Sequence, residues 1–71
     1  MMENVQITTE YITLQQLLKH VDAISSGGMV KWYLEENEVL VNGERENRRG
    51  RKLYEGDKVS VPELGEITVS R

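Results

Sequence analysis

Length, composition and charge limit what this chain can be. Seventy-one residues form one domain at most, near the lower size at which a hydrophobic core folds unaided, and the absence of cysteine excludes disulfides and thiolate metal sites. The apolar runs are too short to span a membrane, the N-terminus lacks the features of a secretory signal, and a net charge of −3 argues at first against a nucleic-acid partner. We therefore expect residues 1–71 to form a single domain in a soluble, cytoplasmic and monomeric protein.

The first predicted elements are a short strand and an amphipathic helix. Residues 5–8 alternate apolar and polar side chains, as a half-buried strand does. Thr13 then suits the N-cap of a helix, and Gln16 three residues later completes a capping box. One apolar face follows at helical spacing and consists of Leu14, Leu17, Leu18 and Val21. The helix is predicted to end near Val21 or Asp22.

A second short helix is predicted to begin around residues 26–28. Ser26 can cap it, and Gly27 and Gly28 let another chain approach the exposed N–H groups closely. The predicted buried face consists of Val30, Tyr33 and Leu34, with Trp32 in the core or at its boundary. Asn37 is predicted to end the helix as a left-handed C-cap, because asparagine tolerates that conformation better than most residues.

The rest of the chain is predicted to be β structure. Residues 39–46 form a strong hairpin pattern around Asn42-Gly43, because Asn-Gly suits a type I′ turn with two positive φ angles. Residues 58–61 alternate as a further strand, and a last strand over residues 67–69 is expected to pair with the N-terminal one. The predicted fold class is α+β, with two short N-terminal helices packed on a small, mostly antiparallel sheet.

Charge is distributed unevenly along the chain. Residues 45–52, which we call the basic loop, contain five basic residues and one acid, Glu46, for a local charge of +4. The rest of the chain holds four basic and eleven acidic residues, which gives −7. Because electrostatic recognition depends on local clustering, such a dipolar molecule would meet a phosphate backbone in one orientation. The alternative is that the run is only a solvated loop, with its arginines paired to Glu44, Glu46 or Glu55.

The order of these elements resembles a known family. A helix, a turn and a helix starting at Ser26 are followed by Val-Leu-Val-Asn-Gly at residues 39–43, by the basic loop, and by Gly-Asp-Lys-Val at residues 56–59. This arrangement, over residues 13–61, resembles the S4 domain, the small αL RNA-binding module of a ribosomal small-subunit protein, pseudouridine synthases and tyrosyl-tRNA synthetases. The whole chain resembles most the stand-alone S4 proteins of the YaaA type in Gram-positive bacteria.

The resemblance implies where RNA binds. S4 domains usually open the second helix with Ser-Arg, and the arginine contacts RNA; here Ser26 matches but Gly27 replaces the arginine, which puts that contact in doubt. The bared N–H groups of Gly27 and Gly28 are a physical substitute, since a helix N-terminus binds phosphate without a side chain. Lys31 matches a position that is commonly basic. The candidate RNA-binding residues are Ser26, Gly27, Gly28, Lys31, Arg45, Arg48, Arg49, Arg51 and Lys52.

These residue types suit RNA for stated reasons. The planar fork of arginine matches phosphate oxygens and can stack on an unpaired base, and Gly50 lets the loop bend between its arginines. Arg45 is the less specific candidate, because acids flank it on a strand. Tyr54, like Trp32, is expected to be packed rather than to stack on a base.

Catalytic patterns are missing from the sequence. His20 is the only histidine, and the acidic cluster Glu35, Glu36 and Glu38 has no partner that would make it a metal site. We expect no enzyme activity, no cofactor, no metal and no small-molecule substrate. The favoured function is binding of structured RNA, ribosomal RNA in particular, as an assembly or quality-control factor. A protein-interaction adaptor that uses the acidic face and a DNA-binding module are the alternatives.

Overall fold

The computed structural model describes residues 2–71 of the chain. Across these residues the chain forms seven strands, two α-helices and one 3₁₀ turn. In chain order they are β1 (Met2–Gln6), β2 (Ile12–Thr13), α1 (Leu14–His20), the 3₁₀ turn Gly27–Met29, α2 (Val30–Glu36), β3 (Leu40–Val41), β4 (Glu44–Arg45), β5 (Lys52–Leu53), β6 (Lys58–Val61) and β7 (Gly65–Ser70). No helix within the described residues is long and apolar enough to cross a bilayer.

The first helix forms as its capping pattern predicts. The backbone N–H of Gln16 donates to Thr13 Oγ1 (3.3 Å), and the N–H of Thr13 donates to Gln16 Oε1 (2.9 Å), so the capping box is complete. Leu14, Leu17 and Leu18 are buried on one face. The helix ends at His20 with Val21 as its C-cap, in agreement with the predicted end near Val21 or Asp22.

Both predicted caps of the second helix are wrong. Ser26 has an extended backbone, and its side chain makes no capping hydrogen bond. A 3₁₀ turn precedes α2 instead, and backbone hydrogen bonds within that turn close it. Asn37 has an extended backbone (φ −124°), not a left-handed one. Its backbone N–H and its side-chain amide both donate to the Tyr33 carbonyl (2.9 and 3.0 Å). Asn37 therefore caps the end of α2 in an extended conformation.

The buried face of α2 is narrower than predicted. Val30 and Leu34 are buried, and Tyr33 packs at the boundary of the core. Trp32, in contrast, is 67% exposed, so its predicted packing is wrong. At about 100° per residue, position 32 lies almost opposite the midpoint of positions 30 and 34, which directs it to solvent.

Five strands form one sheet in the order β1-β7-β6-β3-β4. The terminal strands β1 and β7 pair, as predicted, and they run parallel; the other neighbours are antiparallel. β1 covers Met2–Gln6 rather than residues 5–8. A second sheet, β2 with β5, was not predicted. The α+β class is confirmed. The expectation of two N-terminal helices is not matched exactly, because β2 as well as the predicted first strand precedes α1.

The predicted hairpin turn is confirmed in its backbone angles. Asn42 has φ 52° and Gly43 has φ 88°, the two positive values that a type I′ turn requires. The turn joins β3 to β4, and Val41 pairs with Glu44 across it.

One hydrophobic core joins both helices to the sheet. Its buried members are Val5, Ile7, Leu14, Leu17, Leu18, Ile24, Val30, Leu34, Val39, Val41, Leu53, Val59, Val61, Ile67 and Val69. All are aliphatic, and β-branched residues predominate on the strands, where they pack well on a pleated surface. None of these core residues belongs to the basic loop.

Candidate nucleic-acid interface

The basic loop is anchored to the start of α1 by its backbone. The carbonyl of Arg51 accepts the N–H of Leu14 (2.9 Å), and the carbonyl of Arg49 accepts the N–H of Gln15 (3.0 Å). These are the first N–H groups of the helix, which have no partner within it. The loop therefore completes the helix, and the helix in turn holds the loop at two points.

Glu46 holds the loop from the inside. Its side chain is only 7% exposed. Its Oε2 accepts hydrogen bonds from the Nε (2.9 Å) and backbone N–H (3.0 Å) of Arg48, while Oε1 accepts from Arg48 Nη2 (3.2 Å) and Arg51 Nη1 (2.8 Å). These bonds, those from Arg48 first, lower the pKa of Glu46 from 4.5 to about 2 despite the opposing effect of burial. The carboxylate stays ionised and fixes two arginines.

The expected pairing of loop arginines with an acid thus occurs, but it uses only two of them. Arg48 and Arg51 are the loop arginines in ion pairs among residues 2–71, and both share Glu46. Arg48 remains 72% exposed and its Nη1 makes no bond to Glu46, so part of each guanidinium faces outward. Arg49 is exposed and forms no ion pair with the described residues. Its whole fork is available for a bidentate contact with phosphate.

A groove runs between α2 and the basic loop. It has a volume of about 480 Å³. Its walls are Lys31, Leu34 and Glu35 from α2 and Asn47, Arg48, Arg49 and Gly50 from the loop. A second groove of about 400 Å³ lies along the loop and is lined by Arg48, Gly50, Arg51 and Lys52. Arg48 borders both, so the two grooves form one continuous cationic surface with a single acid, Glu35, at its edge.

The glycine turn before α2 differs from the predicted helix N-terminus. The N–H groups of Met29 and Val30 already bond the carbonyls of Ser26 and Gly27, which leaves less of a free anion site than the sequence suggested. A side chain at Gly27 would lie 2.6 Å from Gln15 Nε2, while one at Gly28 would meet only Ser26 Oγ at 3.9 Å. Gly28 therefore faces open space, where a bound backbone can come close.

The structure brings together most, but not all, of the predicted site residues. Lys31, Arg48 and Arg49 share the groove, and Arg51 and Lys52 extend it. Arg45 lies on the edge strand β4 opposite Leu40 and lines neither groove. Within residues 2–71 no group of three or more His, Asp or Glu residues is arranged to hold a metal.

Sequence reasoning missed the residues that organise this surface. Glu46 was considered, with Glu44 and Glu55, only as a partner of arginines in a solvated loop, and its burial and its role in fixing the loop were missed. Gln15 was not singled out, and it lies between Gly27 and the Arg49 carbonyl because the two segments meet only in the fold. Tyr54 is 44% exposed, so its expected packing is wrong. Tyr11 was not singled out, and it is 38% exposed beside Lys52.

The fold and this cationic surface are those of a compact RNA-binding module, and the chain belongs to the S4 domain family, which it matches over residues 5–70. Among curated proteins it is similar to the "Probable ribosome maturation protein RlbA" of Bacillus subtilis (strain 168). The two sequences are 58% identical over 65 residues, which cover 92% of each chain.

Proposed function

We propose that this chain binds structured RNA, ribosomal RNA in particular, and acts in ribosome maturation as a single, non-catalytic, monomeric domain in the cytoplasm. The observation that carries the proposal is the continuous groove of Lys31, Arg48, Arg49, Arg51 and Lys52 on an otherwise acidic protein. The S4 family membership supports RNA as the ligand. The name of the Bacillus subtilis relative supports ribosome maturation as the setting.

Phosphate contact is divided between two kinds of arginine. Arg48 and Arg51 are held by Glu46 and present their remaining N–H groups at fixed positions. Arg49 is free to form both bonds of its fork. Lys31 completes the opposite wall from α2. Pre-positioned charges lose little side-chain entropy on binding. The arrangement suits readout of backbone and shape, which is how proteins recognise helical RNA.

Ser26, Gly27 and Gly28 form the part of the proposed site that lacks charge. Gly28 has open space above it, so a ribose or phosphate can approach the backbone without meeting a side chain. Replacing Gly28 by glutamate would place a negative charge at this approach. The variant should fold, because a Cβ at this position meets no close neighbour, and it should bind RNA less tightly.

A matched pair of variants tests the proposal. Arg49→Ala removes a free guanidinium from the groove, whereas Lys58→Ala removes one exposed charge from β6, outside it. Arg49→Ala should weaken binding to ribosomal RNA about tenfold or more, the value of a charged hydrogen-bonded contact. Lys58→Ala should change it little. In sucrose gradients the wild-type protein should sediment with ribosomal particles and leave them after RNase treatment or at high salt. Equal binding by both variants would contradict the proposal that RNA binds in the groove.

Arg48 and Arg51 are unsuitable for this test. Removing both side chains would take away three of the four donors that bond the Glu46 carboxylate and leave only the backbone N–H of Arg48. Breaking a buried charged pair in this way costs up to about 3–5 kcal/mol. A loss of RNA binding in that variant would therefore report unfolding as much as lost contact.

One observation favours the adaptor alternative. Trp32 is 67% exposed and Met29 is 45% exposed, and both lie on the outer side of the second helical segment near Glu36. A contiguous patch of exposed apolar side chains is typical of protein contacts. If Trp32→Ala removed the protein from ribosomal particles while Arg49→Ala did not, the adaptor reading would replace RNA binding.

A further inference from the structure

Two exposed tyrosines lie together at the end of the basic loop. Tyr11 precedes β2 and Tyr54 follows β5, and pairing of Ile12 with Leu53 brings the rings side by side. Their centroids are 5.9 Å apart and their planes are inclined by 51°. The backbone at both positions is fixed, since Thr9 Oγ1 donates to the Tyr11 carbonyl (2.8 Å) and the N–H of Tyr54 donates to Asp57 Oδ2 (2.8 Å).

The pair contributes little to the hydrophobic core. Tyr33 is a tyrosine that packs against the core, whereas neither Tyr11 nor Tyr54 belongs to the core or to the side chains packed on it. Leu53, which precedes Tyr54 in the chain and pairs with Ile12, is already fully buried. The two residues remain 38% and 44% exposed. Covering the core therefore does not explain why two rings stand at this position.

Lys52 connects the tyrosines to the cationic surface. Its Nζ lies 4.9 Å from the centroid of the Tyr11 ring, within the range of a cation–π contact. The same lysine lines the second groove together with Arg48 and Arg51. An RNA strand that follows this groove away from α2 would next meet the two rings.

We infer that Tyr11 and Tyr54, with Lys52, form a platform on which an unpaired base of the bound RNA stacks. This inference rests on the proposed RNA-binding function. Aromatic rings beside cationic groups are the usual means by which proteins hold single-stranded nucleic acid, because every base has a face to stack and a phosphate to pair. The inclination of 51° leaves no parallel slot between the rings, so the base stacks on the outer face of one of them.

The charges around the platform set the path of the strand. Glu10 and Glu55 each adjoin one of the rings along the chain, and both are exposed. They repel phosphate, so the phosphates that flank the stacked base must pass on the side of Lys52. Since stacking on a ring requires an unpaired base, the bound RNA is expected to be single-stranded at the tyrosines and helical at the groove between α2 and the basic loop.

Two RNA probes separate the platform from the groove. The first is a blunt RNA duplex, and the second is the same duplex with a short single-stranded uridine tail. The variant that lacks both rings, Tyr11→Ala/Tyr54→Ala, should bind the tailed RNA roughly 5- to 150-fold less tightly, the range for losing a base–aromatic stack. The single alanine variant that removes the ring under the base should show most of this loss. Binding of the blunt duplex should be unchanged, and Tyr54→Phe should behave as wild type, because phenylalanine retains the stacking face.

Two control variants complete the design. Trp32→Ala removes an exposed aromatic ring that lies outside the basic groove, and it should leave both RNAs bound as tightly as before. Arg49→Ala should weaken both. If the tyrosine variants bind the tailed RNA like wild type while Arg49→Ala binds poorly, the platform is refuted and RNA binding stands. If the wild-type protein binds neither probe, both proposals fail.

A measurement on intact tyrosines guards against a folding defect in the alanine variants. In Trp32→Phe the emission comes from tyrosines alone, and Tyr33 is partly buried on the core. Stacking predicts that the tailed RNA quenches this emission more strongly than the duplex does at equal saturation. Equal quenching by both would overturn the platform. If the tyrosine variants no longer sedimented with ribosomal particles but still bound both RNA probes, the surface would be a protein contact instead.

Discussion

Glu46 is the single acidic residue among the five basic residues of the basic loop, and its carboxylate is almost wholly buried. A buried charge is costly unless it is paired and hydrogen-bonded. Here four donor groups of Arg48 and Arg51 meet its two oxygens. The side chain therefore selects one conformation of the loop, and the two arginines are positioned before any ligand arrives.

The stability of the protein should depend on the ionisation of Glu46 at acid pH. The folded-state pKa is about 2, below the ordinary value of 4.5. A carboxyl group whose pKa is lowered by folding contributes its full stabilisation when the pH is above the pKa of the unfolded state. That contribution is lost as the pH falls from 4.5 through about 2. At neutral pH the free energy of unfolding of Glu46→Gln should be lower than that of wild type, by at most about 3 kcal/mol. Near pH 2 the two proteins should differ little.

Urea unfolding at the two pH values measures this difference. Glu44→Gln is the matched control, because Glu44 is exposed on β4 and forms no ion pair with the described residues. Its stability should follow that of wild type across the range. A gap between wild type and Glu46→Gln that is as wide at acid pH as at neutral pH would show that the charge of Glu46 does not stabilise the fold.

At the scale of elements, the end of α1 carries an unfavourable residue. The N–H of Ala23 donates to the Leu18 carbonyl (2.9 Å) and the N–H of Asp22 to the Lys19 carbonyl (3.1 Å), the two bonds of a Schellman motif. Asp22 occupies its left-handed position with φ 62°. Glycine is the residue best suited to that position, and a carboxylate next to a helix C-terminus opposes the helix dipole.

Asp22→Gly is accordingly expected to stabilise the protein. Relief of the left-handed strain and of the charge at the helix end should together raise the free energy of unfolding by about 0.5–1 kcal/mol, after the greater entropy of unfolded glycine is subtracted. Thermal unfolding measures the effect. Asp22→Ala separates the causes, since it removes the charge but keeps the strain. A lower melting temperature for Asp22→Gly would contradict this account of the helix end.

Two turns of the sheet depend on each other. The Asn42 side chain donates from Nδ2 to Asp57 Oδ1 (3.1 Å), and its Oδ1 accepts the N–H of Lys58 (3.0 Å). Asp57 in turn holds the N–H of Tyr54 (2.8 Å). The Asn-Gly and Gly-Asp stretches that carry the family resemblance are therefore parts of one hydrogen-bonded cluster.

Asn42→Ala should destabilise the domain more than a surface substitution does. It removes two side-chain hydrogen bonds and places alanine at φ 52°, which together cost about 2 kcal/mol. Chemical unfolding compares it with Glu44→Ala in the same hairpin, which should change stability by less than about 0.5 kcal/mol. Equal stability of the two variants would mean that the cluster does not support the hairpin.

Apart from the pairing of β1 with β7, the features that the sequence predicted are those fixed by neighbouring residues. The capping box of Thr13 and the turn at Asn42 follow from local chemistry, and both are present. The β2–β5 pairing and the bond between Asn42 and Asp57 join segments far apart in the chain, so no local pattern announces them. Ser26 failed as a cap because a 3₁₀ turn replaced the helix start. For the site, charge clustering indicated the loop, but only the fold shows that Lys31 faces Arg49 and that Arg45 does not.

At the scale of the whole molecule, the net charge of −3 conceals a strong asymmetry. The chain extends over 29 × 21 × 19 Å, whereas salt screens exposed charges beyond about 8 Å at physiological ionic strength. An RNA at the grooves is therefore affected mainly by the charges around it. The acidic remainder acts at longer range and at low salt, where it disfavours approach by the wrong face.

The salt dependence of RNA affinity should report the local charge and not the total. Lys31→Ala/Arg49→Ala and Lys58→Ala/Arg71→Ala both remove two positive charges, so the two proteins have the same net charge. Only the first pair lies in the groove between α2 and the basic loop. Each phosphate contact contributes about 0.7–0.9 to the slope of log affinity against log salt, so the first double variant should flatten the plot by about 1.4–1.8.

Filter binding of the blunt RNA duplex over a series of salt concentrations gives both slopes. The second double variant should keep the wild-type slope, because its charges are not neutralised by RNA phosphates. If both variants flatten the slope equally, net charge governs binding and the groove is not the site of contact.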